Sequence, residues 1–103
     1  MLGLIGAAGA TAALGVSCTV DDPWPHITAL GNAYLAATPS ENNTTILADA
    51  LGGVNPTSTP PTLLAQLDAS VIADFSSGQT VWLSGFLLSR TEARVAALWA
   101  RQH

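Results

Sequence analysis

The chain has 103 residues, a formal net charge of −4 and a single cysteine. A chain of this length forms one domain at most, and one cysteine excludes an intrachain disulfide. Three arginines without any lysine provide neither the basic stripe of a nucleic-acid-binding protein nor a basic cluster for anionic lipid, so no nucleic-acid partner is expected.

Residues 1–20 contain no charged side chain, and the first charge of the chain is that of Asp21. The segment is apolar but rich in glycine and alanine. This is typical of an export signal, whose apolar core spans roughly 7–15 residues before a stretch of small residues. The composition is most like that of twin-arginine signals, and we expect an arginine pair upstream of Met1. On this interpretation the segment is removed after export.

A retained membrane helix is the second interpretation of residues 1–20, because about 20 apolar residues suffice to span a bilayer. Gly3, Gly6 and Ala10 belong to a pattern of small residues at four-residue spacing, which allows another helix to approach closely in lipid. Trp24 follows the first charges and would lie at the level of the lipid headgroups. The segment would then anchor the protein and contact a partner helix.

A lipoprotein is the third interpretation. Residues 15–18, Gly-Val-Ser-Cys, resemble a lipobox in which Gly15 takes the position where leucine is usual. Cys18 would then carry the lipid and the preceding residues would be removed; otherwise Cys18 is a small apolar residue of the segment. All three interpretations predict that residues 21–103 lie outside the cytoplasm, on the periplasmic side of a membrane.

Residues 21–103 are predicted to form one small helical domain. Pro23 and Pro25 prevent a helix from continuing out of the apolar segment, and a first helix is expected over residues 26–37. Its apolar side chains recur at intervals of three and four residues, which is typical of one buried face. These side chains are Ile27, Leu30, Tyr34 and Leu35.

A second helix is expected to follow at once. Thr38 would be its N-cap, Pro39 its first residue and Glu41 the reciprocal partner in a capping box. Gly52 and Gly53 would end it, as glycine does at a left-handed C-terminal position. The side chains expected to point inward are Ile46, Leu47, Ala50 and Leu51.

A third helix is predicted as one continuous element from about residue 59 to residue 76, with Gly78 stopping it. Its apolar side chains recur with helical spacing, and this stripe is expected to be buried. The stripe consists of Leu64, Leu67, Val71 and Phe75, with Leu63 and Ile72 beside it.

The last part of the chain predicts a hairpin and a final helix. The β-prone runs at residues 80–83 and 86–88 are joined by Ser-Gly, and Ser89 with Glu92 makes a capping box for a helix through about residue 102. Its buried side chains would be Val95, Leu98 and Trp99. The predicted fold class is mainly α, with an N-terminal membrane or signal helix followed by a small helical domain that has one β-hairpin near its C-terminus.

No group of side chains has the spacing of a catalytic centre, a metal site or a phosphate-binding loop. Asp21 and Asp22 are interpreted as a solvated capping pair, and His26 as a surface or capping residue rather than one that tunes a neighbouring subunit's cofactor. Trp82 and Trp99 are expected in the core, and a partner interface is the alternative for both and for Trp24. We predict no catalytic residue, no cofactor and no metal ion, and therefore no enzyme.

The stretch from Asp74 to Arg94, DFSSGQTVWLSGFLLSRTEAR, resembles the C-terminal motif of small bacterial twin-arginine-exported proteins associated with periplasmic oxidoreductases. More loosely, it is similar to the small subunits of membrane-bound sugar and alcohol dehydrogenases. The chain differs from those subunits in its length and in lacking their longer C-terminal region. The resemblance implies a cofactor-free subunit that assists the export, anchoring or stability of a larger redox protein.

Three hypotheses about function follow. The first is an accessory subunit of a membrane-bound, extracytoplasmic electron-transfer or oxidoreductase complex, with membrane lipid and a larger subunit as partners. The second is a free-standing exported lipoprotein or binding module, which would need a pocket lined by Tyr34, Trp82 and Trp99. The third is a small enzyme that depends on His26.

Overall fold

The computed structural model describes residues 22–103. These residues form five α-helices, a 3₁₀ turn and one two-stranded sheet, so the prediction of a mainly α domain with a hairpin near the C-terminus is confirmed. In chain order the elements are α1 (Pro25–Ala37), the 3₁₀ turn (Pro39–Glu41), α2 (Thr44–Ala50), α3 (Pro60–Gln66), α4 (Asp68–Ser77), β1 (Thr80–Leu83), β2 (Phe86–Ser89) and α5 (Arg90–Ala100). Among residues 22–103, no helix is both long enough and apolar enough to cross a bilayer.

The N-terminal features predicted from the sequence lie outside the described residues. This applies to the apolar segment itself, to the proposed helix contacts Gly3, Gly6 and Ala10, and to the proposed lipidation site Cys18. These features stay predictions.

Helix α5 is the centre of the domain. It begins with the predicted capping box: the Ser89 hydroxyl accepts from the Glu92 amide, and the Glu92 carboxylate accepts from the Ser89 amide, both at 2.9 Å. From Thr91 onward nearly every side chain of this helix is buried, and the four preceding α-helices all pack on it. The buried residues are Thr91, Ala93, Val95, Ala96, Ala97, Leu98, Trp99 and Ala100.

Helices α1 and α5 cross in close contact at Gly31. A Cβ atom placed on Gly31 would lie 2.1 Å from the carbonyl oxygen of Ala96 and 2.8 Å from the Cβ atom of Ala100. Because protein cores are close-packed, no larger residue fits there without moving one helix. The main core cluster surrounds this contact and includes Tyr34, Leu35, Leu47, Leu51, Leu63, Leu83, Val95 and Leu98.

The predicted start of the second helix is wrong. Residues 39–41 form a 3₁₀ turn, and α2 begins only at Thr44, where Asn43 is the N-cap and its side chain accepts from the Ile46 amide at 3.1 Å. Glu41 makes no capping box, because its carboxylate is bound by side chains from other elements. Leu47 and Leu51 are buried as predicted, whereas Ile46 and Ala50 are exposed.

The predicted third helix bends at Leu67, which has φ −106° and ψ 18° and separates α3 from α4. The Leu67 amide still donates to Leu63 and its carbonyl still accepts from Val71, at 2.9 and 3.0 Å, so the change of direction is confined to one residue. After the bend, the Asp74 carboxylate accepts from the Thr91 amide at 2.7 Å. This contact joins α4 to the first turn of α5.

The predicted hairpin is confirmed, and Ser84 and Gly85 form the two-residue turn between its strands. Ser84 and Gly85 both have positive φ, 51° and 84°, which is the geometry of a type I′ turn and suits the twist of the two strands. Trp82 lies opposite Leu87 in the register, and Leu83 opposite Phe86. The ribbon packs on α5, α4 and α1, with Leu83 buried and Trp82 exposed. Hence Trp82 and Leu87 share the face that points away from the core.

Candidate functional site

Asp22 ties the beginning of the described chain to the end of α5. Its carboxylate accepts from the Trp24 amide at 3.1 Å, from the Trp99 indole Nε1 at 3.1 Å, and from the Thr28 hydroxyl. The bond from Thr28 is the main reason that the pKa of Asp22 lies below its ordinary value of 3.8; desolvation opposes it, and the bond from Trp99 adds to it. Asp22 is therefore a structural anchor and not the capping residue that was predicted, since Trp24 is the N-cap of α1 and no side chain caps this helix.

Glu41 and Arg94 form an ion pair that links the 3₁₀ turn to α5. Arg94 Nε and Nη2 donate to the two carboxylate oxygens at 3.0 and 3.1 Å, and the Tyr34 hydroxyl donates to Oε1 at 2.8 Å. The bond from Arg94, opposed by desolvation and helped by Tyr34, holds the pKa of Glu41 below its ordinary value of 4.5. The same bond from Glu41 raises the pKa of Arg94. These contacts assign Glu41 and Arg94 a structural role, which is to join the 3₁₀ turn to α5.

We predict that this ion pair makes stability sensitive to acid. The Glu41 carboxyl is harder to protonate in the folded than in the unfolded chain, so its stabilisation is complete above the ordinary pKa of 4.5 and is lost as the pH falls through the lowered pKa of the folded protein. Glu41→Gln should lower the free energy of unfolding by about 1 kcal/mol at neutral pH. The variant should also lose less stability than the wild type on acidification.

Chemical unfolding followed by circular dichroism across the acidic range checks this expectation. Asp49→Asn removes one carboxylate from an exposed position and controls for the change in net charge. If Glu41→Gln and the wild type had parallel curves of stability against pH, the Glu41–Arg94 pair would not be the origin of the acid sensitivity.

Two of the three tryptophans pack against each other. The Trp24 and Trp99 rings meet edge to face with centroids 5.1 Å apart, and His103 stacks on Trp99 at 3.6 Å. Trp99 is buried, as the sequence predicted, and Trp24 is partly buried. Tyr34 is buried as well, so Tyr34 and Trp99 do not line an open pocket together with Trp82. The pocket required by the binding-module hypothesis is thus not made from those three residues.

The prediction that Trp82 builds the core is wrong. Its side chain is 72% exposed, that of Phe86 is 62% exposed, and that of Leu87 is nearly half exposed. These three residues surround the Ser-Gly turn, and we call residues 82–87 the hairpin tip. A two-stranded ribbon has one face free, so the packing of the other face on the helices leaves Trp82 outside.

An apolar pocket lies between the hairpin tip and α1. It has a volume of about 260 Å³ and is lined by His26, Ala29, Leu30, Ser84, Phe86 and Leu88. A second pocket of about 120 Å³ shares Leu30 and Leu88 with it and extends toward α3 and α5. His26, singled out in the sequence, therefore borders an apolar pocket on the surface of α1.

Helix α4 is the second exposed apolar element. Ile72 is 60% exposed and Phe75 nearly half exposed, and none of the residues of this helix is fully buried. The predicted burial of Ile72 and Phe75 is therefore wrong. After the bend at Leu67, Asp74 joins α4 to α5 while Ile72 and Phe75 stay on the solvent side.

Within residues 22–103, no three His, Cys, Asp or Glu side chains come close enough together to hold a metal ion. The features of the described domain that point to function are the exposed apolar face of α4 and the hairpin tip. Comparisons of the chain with protein-family models, curated proteins and solved structures found no match.

Proposed function

We propose that this protein is a non-catalytic accessory subunit of a membrane-bound, extracytoplasmic oxidoreductase or electron-transfer complex. Residues 1–20 attach it to the membrane on the periplasmic side, and the helical domain contacts a larger subunit that carries the redox chemistry. The observation that carries the proposal is the uncovered apolar face of α4.

The face of α4 has the character of a protein contact. Ile72 and Phe75 are three residues apart on one side of the helix and are both exposed, while Asp74 holds the helix to α5 from another side. Large contiguous apolar patches on a protein surface mark interaction sites, and aromatic side chains contribute strongly to such interfaces. A partner that covers Ile72 and Phe75 would bury the stripe that the domain itself leaves open.

The proposed partner also accounts for the small size of the domain. Domains of this size bury a limited core, and a single cysteine provides no intrachain disulfide. In the proposed complex, contacts with the larger subunit supply further stability. The resemblance of residues 74–94 to small twin-arginine-exported proteins associated with periplasmic oxidoreductases covers Phe75 of α4 and the whole hairpin, and it supports a redox protein as the partner.

Extraction of the tagged full chain from native membranes with a mild detergent, followed by mass spectrometry of the intact assembly, tests the proposal. We expect a stoichiometric larger subunit whose absorption spectrum shows a redox cofactor. The double variant Ile72→Ser, Phe75→Ser should retain about tenfold less of that subunit, with little change in thermal unfolding because neither side chain is buried.

Ile46→Ser is the matched control, because Ile46 is also a large exposed apolar residue but lies on α2. It should leave the larger subunit bound. Retention of the subunit by the α4 double variant, or extraction of the wild type without any larger subunit, would contradict the proposal. A monomer that binds a small apolar molecule in the pocket beside His26 would instead favour a free-standing exported lipoprotein or binding module.

A further inference from the structure

Beyond the protein contact on α4, we propose that the hairpin tip is a second membrane contact: Trp82, Phe86 and Leu87 enter the interfacial layer of the bilayer beside the point where residues 1–20 join the domain. The inference rests on the proposed membrane attachment of residues 1–20. It adds a lipid-facing surface on the domain itself, with the bilayer as its occupant.

The hairpin tip has the composition of an interfacial contact. Residues 75–89 contain no charged side chain, so entry into the headgroup region leaves no charge without water. The exposed side chains are two large aromatic rings and a leucine. Tryptophan is favoured at the membrane–water boundary because its ring is apolar while its indole N–H can donate a hydrogen bond to a lipid carbonyl.

The position of the hairpin tip relates it to the N-terminal segment. Ser84 and Phe86 line the same pocket as His26 and Ala29, so the tip lies against the N-terminal half of α1. The chain enters α1 at Pro25. The tip and the entry of residues 1–20 are therefore at the same end of α1.

The connection between the apolar segment and the domain is short. Asp22 is held by Trp99 and Thr28, which leaves only Asp21 between this held residue and the uncharged segment. Even the whole stretch of residues 21–24, fully extended, would span only about 14 Å. A membrane-inserted segment would thus keep this end of the domain close to the bilayer surface.

The attraction to lipid should not depend on charge. Two of the three arginines are engaged within the domain, since Arg94 binds Glu41 and Arg101 donates to Thr44 and Asn42. Arg90, the third, starts α5 outside the hairpin tip. Because the chain carries a net charge of −4 and none of its arginines lies on the tip, binding of the tip should be no stronger on anionic than on zwitterionic bilayers. On zwitterionic bilayers, about a tenfold change in salt should not alter it.

Fluorescence quenching of the full chain in vesicles tests the inference. The protein is reconstituted into phosphatidylcholine vesicles with or without lipid brominated near the headgroup, and the Trp82 signal is the difference between the wild type and Trp82→Phe. We expect brominated lipid to reduce this signal about twofold or more. Phe86→Asp should abolish the quenching, while Phe75→Asp on α4 should leave it unchanged.

Each other outcome overturns the inference in a distinct way. If the protein floats with the vesicles but Trp82 is quenched by aqueous acrylamide and not by brominated lipid, the tip faces water although the attachment stands. If the protein does not float, the membrane attachment itself fails, independently of whether a larger subunit co-purifies. If Phe86→Asp releases the larger subunit and lipid does not quench Trp82, the tip is a protein interface.

Discussion

Replacing Gly31 by alanine is expected to lower the free energy of unfolding by about 3 kcal/mol, the upper end of the range for overpacked cores. The added Cβ atom would lie 2.1 Å from the Ala96 carbonyl oxygen and 2.5 Å from its carbon. Both are backbone atoms of α5, so relief of the clash requires that the two central helices move apart. This loss of stability is opposite in sign to the effect of helix propensity, which favours alanine over glycine by about 1 kcal/mol.

Asn32→Ala is the matched control for the Gly31 substitution. Asn32 is exposed on the same helix, so this variant introduces the same residue without a clash and should be as stable as the wild type or slightly more so. Thermal and chemical unfolding of both variants by circular dichroism provide the comparison. Equal stabilities would mean that α1 and α5 do not approach each other as closely as described.

Leu47→Ala should also cost about 3 kcal/mol, because it removes a side chain with 0% exposure from the main core cluster. Truncation of a buried leucine loses the transfer free energy of the removed carbons and leaves a cavity that the neighbours fill only in part. Leu47 lies on α2, and Leu51, the C-cap of this helix, is the other member of the core cluster from this part of the chain. Loss of Leu47 therefore loosens α2 as a whole.

The adjacent residue Ile46 gives the sharpest comparison with Leu47. Ile46 is 46% exposed, so Ile46→Ala should change the free energy of unfolding by less than about 1 kcal/mol although it removes a similar number of carbons. The same unfolding measurements apply. Equal losses for the two variants would show that α2 buries both side chains, as the sequence pattern predicted.

The elements that the sequence predicted well are those governed by local bonds. The capping box of α5 joins Ser89 and Glu92, three residues apart, and the hairpin turn needs only Ser84 and Gly85 with positive φ. Such interactions involve neighbours along the chain, so residue type and spacing suffice to recognise them. Helix α1 is also predicted to within one residue: it was expected from residue 26, and it begins at Pro25, which suits the first helical position.

The errors arise where distant segments compete with local preferences. Thr38, Pro39 and Glu41 have the pattern of a capping box, but Glu41 pairs with Arg94, 53 residues away, and α2 starts later with a different cap. Leu67 lies in an unbroken apolar pattern, yet the chain bends there and α4 reaches Thr91 through Asp74. The spacing of residues along the chain does not reveal that Glu41 pairs with Arg94 or that Asp74 binds the Thr91 amide.

The candidate interaction surfaces were also predictable only in part. Composition was enough to single out Trp24, Trp82 and Trp99 and to place a small mainly α domain after an uncharged leading segment, because residue types and their spacing carry that information. Which of these tryptophans stays exposed depended on how the hairpin packs: one face lies on the helices, so Trp82 points outward while Trp99 is enclosed by Trp24 and His103. The position of the hairpin tip beside α1 likewise required the folded arrangement, since burial is a property of contacts between segments far apart in the chain and no local pattern records it.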